Sequence, residues 1–105
     1  MARIAAVVAD LMLASRVQTS LQASGNEVEL GSELPDELDG VDLVVADLDV
    51  VPPERLGELA LPVIGFYRHT DVDTKERAEQ AGLAVAIPRS RMVRELPDLV
   101  ESLLR

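Results

Sequence analysis

Five short apolar runs, separated by stretches with helical or turn signals, constrain this chain more than any other feature. They fall at residues 4–9, 27–30, 41–46, 63–67 and 83–87. Three are nearly continuous in apolar residues, with little alternation. Continuous runs bounded by turn signals suit strands covered on both faces. The overall hydrophobic fraction of 48% is high for 105 residues and points the same way.

The intervening segments carry helical signals. In residues 11–24, Leu13, Val17 and Leu21 recur every four positions as one apolar stripe. Asp10 is placed to cap that helix, and Gly25 to follow it. Residues 35–39 have room for about one helical turn. A third helix opens at Pro52-Pro53, with Pro53 suited to the first helical position and Leu56 and Leu59 facing inward. A fourth is expected from Asp73, with Glu76 completing a capping box and Gly82 ending it. The last is expected over residues 93–104, with Leu96, Val100, Leu103 and Leu104 as its stripe. Pro97 places the start of regular helix near itself. Alternation of strand and helix predicts one α/β domain over residues 1–105, a flavodoxin-like (βα)5 three-layer sandwich. Its parallel sheet has the order 2-1-3-4-5.

Composition removes several function classes. Cysteine is absent, so no disulfide or thiolate metal site forms. His69 is the only histidine, which excludes an imidazole cluster. The net charge of −9 lacks the basic footprint of a nucleic-acid binder. The apolar start is too short to span a bilayer, is interrupted by Asp10 and has no cleavage site. A cytoplasmic protein without membrane contact is expected. The excess of arginine over the single Lys75, with many alanines, hints at a GC-rich bacterial source.

Sheets of this kind bind ligands beyond the carboxyl ends of their strands, where strand order reverses. Asp10 follows the first strand there, and Asp47 and Asp49 follow the third. Tyr67, Arg68 and His69 follow the fourth. Arg89, Ser90 and Arg91 follow the fifth. Carboxylates facing a cation suit a divalent metal or a phosphorylated carboxylate. Each residue also has a plainer role. Asp10 is suited to a helix cap, Asp49 to a loop start, Tyr67 to packing and His69 to a loop. Arg89 is suited to a bidentate pair with Asp47. Arg68, Arg77, Arg91 and Arg94 suit a solvated face, or a surface that neutralises an acidic partner. Asp10-Leu11-Met12-Leu13 supplies no glycine-rich phosphate loop, and neither a nucleophile elbow nor a histidine triad is present.

These segments together resemble the CheY-like receiver domain of bacterial response regulators over nearly the whole chain. VVAD, ending at Asp10, is similar to the strand-one end that carries two acidic Mg²⁺ ligands. Ala9 stands in place of the first. DLVVADLDVVP, residues 42–52, is similar to the segment presenting the phosphoacceptor, and Asp47 falls on that position. Asp49 falls where the family offers a carbonyl to the metal. LPVIGFYRH, residues 61–69, is similar to the fourth strand, with Tyr67 where the family has Thr or Ser. In residues 78–90 Arg89 replaces the family's lysine, and Ser90 its cis-proline partner.

The resemblance implies phosphorylation at Asp47, Mg²⁺ held by Asp10, Asp47 and Asp49, and site support from Asp10, Arg89, Tyr67 and Ser90. The substitutions imply weak metal binding, weak or absent phosphorylation and no threonine switch. Arginine for lysine replaces a compact ammonium with a planar fork. A non-enzymatic pseudo-receiver, a stand-alone signalling module working through a protein partner, is the leading expectation. A homodimer through the fourth helix, fifth strand and fifth helix would use Arg77, Arg91, Arg94, Glu79 and Glu95. A working phosphoacceptor receiver is the first alternative. A flavodoxin-like cofactor-binding protein or enzyme is the second.

Overall fold

A computed structural model describes residues 2–105 of the chain. It contains a five-stranded, all-parallel sheet in the order β2-β1-β3-β4-β5. The strands are β1 (Arg3–Val7), β2 (Glu27–Gly31), β3 (Leu43–Asp47), β4 (Val63–Tyr67) and β5 (Val85–Pro88). The helices are α1 (Leu11–Ala23), α2 (Pro53–Leu56), α3 (Val72–Ala81) and α4 (Arg89–Leu103). The expected sheet order and class are therefore found.

Strand parity divides the core. Ile4, Ala6, Leu43, Val45, Ile64, Phe66 and Ile87 face α1 and α4 and meet Leu13, Val17, Leu21, Met92, Leu96 and Val100. Ala5, Val7, Val44, Ala46, Val63 and Tyr67 face the other way and meet Leu56 and Ala78. The apolar runs lack alternation because helices cover both faces of the central strands. β3 has all five residues buried.

α1 forms as its stripe predicts. Asp10 caps it by accepting from the Met12 and Leu13 amides at 2.9 and 3.1 Å. Gly25, at φ +86°, reverses the chain beyond its end. The expected single turn at residues 35–39 is not helical. The β2–β3 crossover runs as turns and bends, with Leu34 and Val41 buried as anchors. Four helices, not five, flank the sheet among the described residues.

Two helix starts differ from expectation. α3 is capped by Asp71, not Asp73. The Asp71 carboxylate accepts from the Thr74 amide at 3.1 Å and from the Thr74 hydroxyl at 2.6 Å. Asp73 sits in the first turn, where a carboxylate still opposes the helix dipole favourably. α4 begins at Arg89, four residues before the expected start, and encloses Pro97. A proline inside a helix removes one backbone hydrogen bond and crowds the preceding turn, at about 3 kcal/mol. Burial of Met92, Leu96 and Val100, with 0%, 0% and 3% exposure, outweighs it. Each such side chain contributes about 1.5–3 kcal/mol.

Glycine is required where α2 meets α3. A Cβ at Gly57 would press on the Ala81 carbonyl oxygen, so Gly57 lets α2 and α3 pack together. Arg77 joins the same two helices through both oxygens of Glu54, at 2.6 and 3.0 Å.

Replacing Pro97 by alanine restores the missing donor in α4. The P97A chain is expected to gain about 1–2 kcal/mol, read as a higher urea midpoint at unchanged slope. Leu96→Ala is expected to lose about 2–5 kcal/mol in the same measurement.

Candidate functional site

The carboxyl ends of β1, β3 and β5 bring Asp10, Asp47 and Arg89 to one end of the sheet. Asp47 is the last residue of β3 and has the parity of Leu43 and Val45. Its side chain therefore stands on the α1/α4 side. It is 6% exposed, and its Oδ1 accepts from the Asp49 amide at 2.9 Å. That bond folds the chain back after β3. The Val50 and Val51 amides also donate to the Asp47 carbonyl, both at 3.0 Å. Burial pushes the Asp47 carboxyl above its ordinary value, and the nearby charge of Asp49 adds to the effect. The Asp49 amide, Arg89 and Arg68 oppose it.

Arg89 does not pair with Asp47, contrary to the bidentate pair expected from sequence. Its Nη2 donates to Asp10 Oδ2 at 2.6 Å. The reason is positional. Arg89 opens α4 beside the start of α1, and Asp10 uses only Oδ1 for its capping bonds. Asp10 thus serves two helices at once, capping α1 and neutralising the cation at the head of α4. Its carboxyl is held below the ordinary value, first by the Leu13 amide and then by the Met12 amide and Arg89.

The remaining candidates separate. The Asp49 carboxylate lies 3.4 Å from Arg68 Nε, an exposed pair. Tyr67 is 5% exposed and has the opposite parity to Asp47, so its ring packs in the α2/α3-side core. Ser90 lines a cleft of about 300 Å³ with Asp10, Arg89, Met12, Val93 and Arg16. Arg16 escaped the sequence reading, although Met12 and Arg16 stand one helical turn apart and so share a face.

The carboxylates at this rim are engaged locally. Among the described residues no three acidic or imidazole side chains converge as a metal group. Asp10 is turned toward Arg89, and Asp49 toward Arg68. Ala9 offers no carboxylate. Among the described residues, no helix is long and apolar enough to cross a membrane.

The opposite shifts of Asp10 and Asp47 give opposite pH dependences. Asp10 is depressed in the folded state, so its contribution is present above the unfolded value near 3.9 and is lost as pH falls through the folded value. Asp47 is raised, so its contribution is present below about 3.9 and is lost as pH rises through the folded value. At neutral pH, Asp47→Asn is therefore expected to raise the melting temperature. Asp10→Asn, which keeps a capping oxygen but loses the ion pair, is expected to lower it. Both differences shrink in melts taken at about pH 3.

No family model matches the chain, and no curated protein matches it significantly in sequence. Solved structures do match. A response regulator receiver domain protein from Clostridium thermocellum is 16% identical, with a TM-score of 0.84 over 99% of this chain and 94% of that one. The ChxR receiver domain from Chlamydia trachomatis is 19% identical, with a TM-score of 0.76 over 100% of both chains. Full-length FixJ from B. japonicum is 20% identical, with a TM-score of 0.83 over 99% of this chain and 58% of that one. Five parallel strands in the order 2-1-3-4-5, with helices on both faces, give this chain the fold of response-regulator receiver domains.

Proposed function

We propose that this chain is a receiver-type signalling module of the bacterial cytoplasm that works by protein contact, with aspartyl phosphorylation weak or absent. One observation carries the reading. The Arg89 guanidinium lies 2.6 Å from the only carboxylate left at the end of β1, where the family resemblance would place a metal ion. A fixed cation neutralises Asp10 but cannot bridge an incoming phosphoryl oxygen as a metal ion does. Tyr67 adds to this, because a buried ring in the opposite layer cannot follow a phosphoryl group on Asp47 as a small hydroxyl would. The protein is then a binding partner and not an enzyme.

The proposed partner surface is the face of α3, β5 and α4. Arg91 pairs with Glu95 through two bonds, at 2.7 and 3.1 Å, and Arg94 lies 3.8 Å from the same carboxylate. This face presents mixed charge that is already paired, with Glu79 exposed beside it. Such a surface suits a self-complementary, two-fold dimer better than a strongly charged partner.

A working phosphoacceptor is the second reading, and Asp47 itself favours it. It ends the central strand, and no hydrogen bond within the described residues engages its Oδ2. Incubation with Mg²⁺ and acetyl phosphate, followed by intact mass, decides between the two. The expected result is no phosphoryl gain in the wild-type chain or in the D47N control. A gain that vanishes in D47N would overturn the pseudo-receiver reading and establish the second.

A further inference from the structure

The two edges of the sheet are finished differently. β5 is four residues long and ends in Pro88, which has no amide to donate. β2 is five residues long, pairs only with β1, and has four of its five residues exposed. The Glu27 amide donates to Ala2 at 2.8 Å, and the Val8 amide donates to Gly31 at 3.0 Å. In a parallel ladder this points the main chain of residues 27, 29 and 31 toward β1. The amides and carbonyls of Val28 and Leu30 therefore point outward, along the free edge.

The side chains of β2 alternate about that edge. Val28 and Leu30 pair with Ile4 and Ala6, which face α1 and α4. Leu30 is nevertheless 40% exposed. Glu27 and Glu29 pair with Arg3 and Ala5, on the opposite face. No helix covers them there, because the β2–β3 crossover has none. That crossover adds Glu33, Asp36, Glu37 and Asp39. Among these six acids, ion pairing within the described residues is confined to Glu29 with Arg3, at 2.7 Å.

Charge is segregated accordingly. Residues 17–54 hold ten carboxylates and neither lysine nor arginine, while the rest of the chain sums to +1. The open edge lies inside the acidic half. A second copy of this chain is a poor occupant, since two β2 strands would set glutamates against glutamates. The acids guard the edge against self-association. They also select what it accepts.

We propose that the β2 edge docks an extended segment of a partner protein as a sixth strand, with lysine or arginine alternating with apolar residues. Main-chain bonds to Val28 and Leu30 supply the pairing. The partner's cations lie against Glu27 and Glu29, and its apolar residues continue the row of Val28 and Leu30.

The test is amide hydrogen exchange by NMR on the full chain, with a synthetic peptide of alternating Lys and Val, about eight residues long to cover the five-residue strand. The expected result is new protection at the Val28 and Leu30 amides, weakening as salt is raised. A peptide of equal charge with proline replacing valine is expected to give none, because proline at every second position is excluded from a continuous strand ladder. The E27K/E29K chain is expected to bind the Lys–Val peptide about tenfold more weakly. No protection at Val28 and Leu30 would overturn the proposal. Equal protection with the proline peptide would overturn it as well, since charge alone would then suffice. Protection that grows with protein concentration in the absence of peptide would identify a second copy as the occupant, and would also overturn it.

Discussion

Two-sided burial of β3 is the constraint on which the rest of the molecule depends. All five of its residues are enclosed, so both faces of the sheet must be covered at its centre. That demands helices above and below, hence crossovers on both sides and parallel strands. It also fixes where polarity can return. The first polar group on β3 is its last residue, Asp47, at the rim where the helices no longer close over the sheet. A buried carboxylate with one backbone donor, placed there by the strand's length, follows from the packing of the strand beneath it.

The electrostatics at that rim follow from how one guanidinium is shared. Arg89 lies near two carboxylates and bonds to the more exposed one. Solvent reaches the Asp10–Arg89 pair, so it costs little desolvation. A direct pair at Asp47 would bury both charges. Asp47 instead turns one oxygen to its own backbone two residues on, a local arrangement open to any aspartate after a strand. Acid and base thus lie close together without a shared network of hydrogen bonds.

Much of this was legible in the sequence, and the misses have identifiable causes. The strands were found because their apolar runs reflect burial, and α1 because Leu13, Val17 and Leu21 keep helical spacing. Pro97 reads as a helix boundary, so the sequence places the start of α4 four residues late. The Met92–Leu96–Val100 spacing carries the helix through the proline, and its burial offsets the local cost. Asp71 and Asp73 both suit the cap of α3 in sequence, two residues apart, and the Thr74 hydroxyl decides for Asp71. At the site, the strand ends place Asp10, Asp47 and Arg89 at one end of the sheet, where Arg89 bonds Asp10. The pairing among them depends on which oxygen each helix cap leaves free, and sequence spacing does not encode that. Arg16 was missed for a related reason, since a residue one turn inside a helix reads as surface until the neighbouring helix is placed.

The placement of Tyr67 gives the molecule a one-sided optical record. The chain has one tyrosine and no tryptophan, and its single phenylalanine, Phe66, is the preceding residue on the opposite face of the sheet. Ultraviolet emission therefore arises almost wholly in the α2/α3 half, while the larger α1/α4 half is silent. A fluorescence trace follows one layer of the sandwich, and a backbone signal follows both. Superposition of the two traces is then a direct measure of whether the layers form and dissolve together.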